Sequence, residues 1–303
     1  MKAEEKIMKK SIFIVVAIVT TLAMLSLLSA CGDDAPLPAN DRELLAYASE
    51  GEYTVWSFNI RLKTAFEYGT QWDERKADVT EYIDTSGADV LCLQEVTKAQ
   101  YDDLAASLKN YEIIWYPRDG GSNAEGLAIL YSDDFTATNE ERFWLSETPD
   151  IQSKGWGAMY PRICVHATLK HTSGDILDVY NVHLDHMSNN ARINGIKLVV
   201  ERAFAAGGNA VVAGDFNADT ESDCYAAISE SFTDAAHASD SQSGYTYNDW
   251  GLVNHYGDSP IDHIFLSENL TPNVFRVLYD HIGGVDGEYY SDHYAIGVRF
   301  AIA

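Results

Sequence analysis

Ala210-Val-Val-Ala-Gly-Asp-Phe-Asn-Ala-Asp219 is an apolar run that stops abruptly at Gly214, Asp215 and Asn217. Small and β-branched residues in unbroken succession read as a strand buried on both faces. The carboxyl end of such a strand is where an α/β sheet presents ligands and catalytic groups. Asp215 and Asn217 are two apart, so on a continued strand they share a side, offering an acceptor for a water's proton and an amide donor for an anion. The competing reading is an ordinary strand-to-turn exit, because Gly, Asp and Asn are common turn residues. The rest of the chain decides between the two.

Working outward, the same strand and helix rhythm recurs. Residues 53–60 alternate, with Val55, Ser57 and Asn59 on one side and Trp56, Phe58 and Ile60 on the other. Thr70 and Asp73 suggest a capping box opening a helix whose stripe is Trp72, Lys76, Val79 and Ile83. Strands are expected over 88–95, 112–116 and 124–131, a second helix over 100–108, and an irregular stretch from Phe143 to Tyr160. Further on, 162–169 and 176–182 suggest a hairpin, 191–205 and 223–229 helices, and 261–266, 273–279 and 293–301 strands. Strands outnumber long helices, both halves contain antiparallel stretches and no linker divides them. Two packed sheets flanked by helices in one α/β domain fit this count better than a dinucleotide fold, whose Gly-rich strand-to-helix turn is absent.

The chain has 303 residues, 46% of them apolar, enough for a sizeable core. Lys and Arg total 21 against 46 Asp and Glu, for a net charge of -25. Such a surface repels polyanions at long range, so tight non-specific nucleic-acid binding would need local positive groups or metal ions. Cys92, Cys164 and Cys224 have no paired spacing of the zinc or disulfide kind and read as small buried hydrophobes.

The N-terminus reads as an export signal. Lys2, Lys6, Lys9 and Lys10 precede an apolar span from Ile12 to Leu28, followed by Leu28-Ser29-Ala30-Cys31. The Cys after Leu-Ser-Ala resembles a bacterial lipoprotein signal, in which Cys31 takes lipid and becomes the first residue of the mature chain; a retained transmembrane span is the other reading. The expected organisation is therefore a signal peptide over 1–30, a tether and leading helix over 31–50 and one domain over 51–303. It places the protein in the cell envelope, lipid-anchored at the outer membrane on its periplasmic or outer side, as a monomer.

Five further places repeat the opening pattern of an apolar strand ending in catalytic-type residues: Asn59, Glu95, Asn181-Val-His-Leu-Asp-His186, Asp262-His263 and Ser291-Asp292-His293. One such end is routine, whereas six suggest polar groups that converge on a site. Together with Ser57-Phe-Asn59, Gln94-Glu95 and Gly214-Asp-Phe-Asn217, and in this order, they resemble the endonuclease/exonuclease/phosphatase superfamily over residues 53–301.

The resemblance implies a four-layer α/β sandwich with two mostly antiparallel sheets packed together between helices, and a divalent-metal phosphoesterase. Residue by residue, it implies Glu95 as the main carboxylate ligand of Mg²⁺, with Asn59 and Asp292 in support and Mn²⁺ or Ca²⁺ as alternates; a hard cation prefers oxygen ligands. It implies Asp215 as the group that deprotonates the attacking water and Asn217 as a donor to a phosphoryl oxygen. His293 would be a phosphate-facing imidazole held by Asp262, and His183 a second one partnered by Glu125. Arg162 resembles an Arg at the edge of the site. His186 and His263 have less definite places, His263 facing away from Asp262 on a regular strand.

Substrate is less legible. The loop 61–71 carries only Arg61 and Lys63 as bases, whereas Phe66, Tyr68, Trp156, Tyr160, Tyr245 and Trp250 suggest an aromatic mouth. The first expectation is a phosphodiesterase using metal-activated water. A nuclease on DNA or RNA, or a phosphomonoesterase on sugar or inositol phosphates, is the alternative. A lipoprotein that binds a phosphorylated ligand without turning it over is the rival of another class.

Overall fold

The computed structural model describes residues 41–46, 48–64, 70–121, 123–252, 259–284 and 287–303. The expected signal segment, Cys31, the expected tether to Asn40, Phe66 and Tyr68 lie outside the described residues. By contacts, the chain divides into Met1–Ala39 and Asn40–Ala303, and the sheets, core and cavity all belong to the second unit.

Thirteen strands among the described residues form two sheets. The first is built from β1 (Glu52–Asn59), β2 (Val90–Thr97), β3 (Tyr111–Pro117), β4 (Glu125–Ser132), β10 (Asp240–Gln242), β12 (Leu270–Leu278) and β13 (Ala295–Ile302), in the order β10-β12-β13-β1-β2-β4-β3. The second is built from β5 (Phe135–Trp144), β6 (Ile163–His171), β7 (Ile176–His183), β8 (Ala210–Asp215), β9 (Thr233–Asp234) and β11 (Asp262–Leu266), in the order β5-β6-β7-β8-β11-β9. Pairing is mostly antiparallel, and β1 with β2, β7 with β8 and β10 with β12 are the parallel pairs.

Alternation along each strand builds the layers. Val55, Val90, Cys92, Val211, Ala213, Ile264 and Val298 point between the sheets into one apolar core. Trp56, Phe58, Leu91 and Leu93 point outward under α1 (Asp41–Ala46), α2 (Trp72–Asp84) and α3 (Lys98–Ser107). Tyr180, Val182, Val212 and Phe265 point the other way, under α4 (Asn189–Ala206) and α5 (Asp223–Ser229). The result is the expected four-layer sandwich, helices on both outer faces. All six residues of β8 are buried, as an unbroken apolar run requires. Among the described residues no helix is long and apolar enough to cross a membrane.

A polar rivet joins the sheets beside the site. Gln94 Nε2 on β2 donates to Asn181 Oδ1 on β7 at 2.9 Å, and Asn181 Nδ2 donates to the carbonyls of Leu93 and Ala128 at 2.9 and 2.8 Å. All of this is buried, so truncating Asn181 would strand its partners at about 1–3 kcal/mol for each unpaired group. Gln94 and Asn181 thus belong to the frame that sets the two sheet edges side by side, although the sequence grouped them with the site.

Several local expectations are corrected. The second helix opens on Gln71, whose N–H donates to Glu74, instead of Thr70 with Asp73. Its buried stripe includes Arg75, not Lys76. The leading helix stops at Ala46 rather than Glu50. Phe143 and Trp144 end β5, an edge strand whose polar middle, Thr136 to Arg142, hides it in the sequence. Asn217 lies past the end of β8 with φ 48, so it does not continue the strand from Asp215.

Candidate active site

Strand ends from both sheets meet at one cavity of about 500 Å³, lined by Glu95, Glu125, Arg162, His183, His186, Asp215, Asn217, Asp292 and His293 among others. Six motifs spread from position 59 to position 293 therefore do converge. Asn59 is fully buried behind the lining, and its Nδ2 donates to Glu95 Oε1 at 3.2 Å and to Asp215 Oδ2 at 3.0 Å, tying one sheet edge to the other.

Backbone irregularities aim the carboxylates. Between Leu93 and Val96 the register of β2 against β4 slips, so Gln94 and Glu95 together oppose one residue, as in a β-bulge. Glu95 takes φ 61, rare for a residue with a Cβ, and this turns its side chain into the cavity. The slack is taken up immediately: Thr97 caps α3 by accepting from Gln100 N, and Gln100 Oε1 accepts from Thr97 N at 3.1 Å. On β8, a Cβ at Gly214 would stand 1.9 Å from the Val182 carbonyl, so only Gly lets β7 and β8 close up directly before Asp215. Among the described residues, three of the six non-Gly residues with positive φ, Arg61, Glu95 and Asn217, line the cavity, where such strain tends to collect.

Asp215 is 2% exposed. Its Oδ1 accepts from Asn217 N at 2.8 Å, and its Oδ2 lies 3.5 Å from His183 Nε2 and 3.8 Å from His293 Nε2. Burial, then the nearby charge of Asp262, push its pKa well above the ordinary carboxylate range. Asn217 Nδ2 donates to the Leu184 carbonyl at 3.1 Å, so its own N–H and side chain both brace the end of β8 while the residue lines the cavity.

Two of the three cavity histidines, His293 and His183, are pushed toward opposite charge states. His293 Nδ1 lies 2.8 Å from Asp262 Oδ2. Burial alone disfavours the charged ring, but the charge and hydrogen bond of Asp262, with Asp215 and Asp292 behind, outweigh it and raise the pKa far above 6.5. His183 has no such partner: its Nδ1 makes no hydrogen bond, and burial with Arg162 and Arg118 nearby drives its pKa well below 6.5. The expected pairing of His183 with Glu125 is not formed, because Glu125 Oε2 instead meets Arg118 Nη2 at 2.8 Å.

Arg162 is buried, with Nε 3.9 Å from Asp185 and both Nε and Nη1 lacking a hydrogen-bond partner. Its Nη2 lies 3.3 Å from His186, whose exposed ring stacks on Tyr160 at the rim. His263 points away, with Nε2 against the Ala218 carbonyl and its ring against Phe216, as strand alternation required. Of the expected aromatic mouth among the described residues, Tyr160 alone lines the cavity; Trp250 covers Arg75 and Tyr245 packs on Tyr279 and Tyr294. Four lining residues were not read as site residues from the sequence: Arg61, Leu62, Arg118 and Tyr247. Arg118 directly follows β3, at the same cavity edge as Glu125, and that adjacency was its only signal.

Two groups could hold a cation. One ligand atom each of Asp215, Asp262 and His293 lies within 4.8 Å of the others, a set consistent with a divalent metal. Glu95 and Asp292 form a second, all-oxygen pair, bridged by Arg61 Nη1 at 3.8 and 3.4 Å. Asn59, expected beside them, turns its nitrogen to Glu95 at 3.2 Å, and its oxygen accepts from Arg61 N at 3.1 Å.

A family model described as the endonuclease/exonuclease/phosphatase family matches residues 56–293. Among solved structures, a Bacteroides thetaiotaomicron protein of that family is 30% identical, with a TM-score of 0.77 over 83% of this chain and 98% of its own. A mannosyl-6-phosphatase of the same organism is 31% identical, with a TM-score of 0.76 over 82% of this chain and 100% of its own. An uncharacterized protein of Acanthamoeba polyphaga mimivirus is 26% identical over 259 residues, 78% of this chain and 95% of that one. With its sandwich, its converging strand ends and this match, the chain belongs to the endonuclease/exonuclease/phosphatase family and is a metal-dependent phosphoester hydrolase.

Proposed function

We propose that the protein is a phosphomonoesterase acting on sugar phosphates, which puts the monoester alternative ahead of the phosphodiesterase. The observation that carries it is Arg162, a buried guanidinium lining the cavity with two N–H groups unpaired. A terminal phosphate offers three oxygens and about two negative charges at neutral pH to such a fork, whereas an internal diester offers two oxygens and one charge. The net charge of -25 also favours a compact substrate over a polyanion. The mannosyl-6-phosphatase, matched over its whole length, supports the same substrate class.

Glu95 and Asp292 would hold the divalent cation, Mg²⁺ by the chemistry of their hard oxygens, with Asn59 fixing Glu95. When bound, the cation supplies charge neutralisation and polarisation at a phosphoryl oxygen. The protein's own groups do the rest. Asp215, its oxygens oriented by Asn59 Nδ2 and Asn217 N, accepts the proton of the attacking water, and its raised pKa suits it to keep that proton. His293, charged through Asp262, donates to the phosphoryl group or the departing oxygen. Neutral His183 and Arg162 hold the remaining oxygens. The test is steady-state hydrolysis, with Mg²⁺, of mannose 6-phosphate and p-nitrophenyl phosphate against bis(p-nitrophenyl) phosphate and linear DNA. Monoester turnover at least about tenfold above diester is expected, and diester preference overturns the reading.

The envelope location belongs to the same proposal: Cys31 carries the lipid and holds the enzyme at the outer membrane. Palmitate labelling of cells expressing the full chain checks this, with incorporation expected and lost in C31A; labelling that survives C31A contradicts it.

A further inference from the structure

Arg61 stands over two nearly buried carboxylates at the cavity, Glu95 and Asp292. Its Nη1 is 3.4 Å from Asp292 Oδ2 and 3.8 Å from Glu95 Oε2, and those two side chains are 2% and 10% exposed against 28% for Arg61 itself. The main chain here is pinned. Arg61 adopts φ 56, its N–H is accepted by Asn59, and its carbonyl accepts from buried Arg75 Nη2 at 3.0 Å and Gln100 Nε2 at 2.8 Å. Leu62 N then donates to Glu95 Oε2 at 3.0 Å. A fixed backbone thus carries a long, partly exposed side chain that leans across the pair of carboxylates.

We propose that Arg61 is the resident counter-ion of Glu95 and Asp292 and competes with the divalent cation for them. The inference rests on the assignment of that pair to the metal given above. A guanidinium and a divalent cation cannot share one gap between two carboxylates without strong like-charge repulsion, since the low dielectric of a nearly buried site magnifies it. Metal entry therefore requires the Arg61 side chain to leave, and its pinned backbone keeps the displaced guanidinium at the cavity it lines. An anion in that cavity gives it a new partner, so metal and phosphate strengthen each other's binding, by the same factor in either order.

Isothermal titration of Mn²⁺ into the metal-free protein, with and without inorganic phosphate, tests this without reading catalysis. R61M and R61Q are expected to bind Mn²⁺ at least about tenfold more tightly than the wild type, and R61K, which keeps the charge, about as tightly as the wild type. Phosphate is expected to tighten Mn²⁺ binding more in the wild type than in R61M. Thermal unfolding in chelator supplies the second measure: loss of the counter-ion lowers the metal-free melting temperature, and Mn²⁺ raises it further in R61M than in the wild type. If R61M and R61Q bind no more tightly than the wild type, the competition is refuted. E95Q separates the two claims. Its loss of Mn²⁺ binding upholds the carboxylate pair whatever Arg61 does, whereas wild-type binding in E95Q overturns the assignment and the competition together.

Discussion

The two sides of the cavity use the same residue types to opposite effect. On one side lie Glu95, Asp215 and Asp292, and the histidine set among them, His293, with Asp262 against its Nδ1, is pushed toward the charged form. On the other lie Arg118 and Arg162, and the histidine set among them, His183, is held neutral. Both rings are buried, so burial cannot distinguish them; the sign of the neighbours does. The difference teaches that opposite fields push one type of side chain toward a charged ring in one place and a neutral ring in another.

In the proposed mechanism the carboxylate side carries the chemistry, so breaking it has the largest expected effect. E95Q and H293A are each expected to lower kcat/KM for a phosphomonoester by about a hundredfold or more, the scale of a lost electrostatic or acid-base group. Both variants should still unfold cooperatively in calorimetry, with a lower melting temperature in H293A, which leaves Asp262 buried without its partner. Near-full activity in H293A would abolish the distinction between the two rings. The guanidinium side is expected to bind more than to react. R162K, which replaces a planar fork by a point charge, should raise KM by about tenfold, roughly 1.4 kcal/mol, with kcat less affected. A fall in kcat alone would move Arg162 to the reacting centre.

A smaller effect on the same side separates charge from shape. Glu125 has its pKa pushed up by burial, with Arg118 only partly opposing, from 4.5 to about 7. A carboxyl whose folded pKa is raised is stabilising while protonated, so its contribution is fully present below about 4.5 and is lost as pH rises through about 7. The wild type should therefore lose up to about 3 kcal/mol relative to E125Q between pH 4.5 and 8, an upper figure from the size of the shift. Chemical denaturation across that range reads it, and parallel pH profiles for the two proteins would contradict it.

Much of the site was legible because strand ends are a one-dimensional signal. Asp215, Asp262, Glu95 and Asn59 each lie at the end of a strand or at its bulge, and period-two alternation already turned His263 away from Asp262. What was missed needs three dimensions. Arg118 reaches the cavity only because β3 and β4 pair, and Tyr247 only because its segment bridges back to His293. Gln94 and Asn181 look like site residues in sequence because a buried polar pair holding two sheets and a catalytic pair obey the same rule, a polar group at an apolar strand's end. The β5 strand escaped because an edge strand with a solvated middle carries little apolar pattern.

Anomalous diffraction from a crystal of the metal-free protein soaked in Mn²⁺ addresses the division of the cavity most directly. The manganese peak is expected between Glu95 and Asp292, with the Arg61 side chain turned out and the hydrogen bond between His293 and Asp262 intact. A peak at Asp215, Asp262 and His293, with Arg61 still across Glu95 and Asp292, would contradict that division.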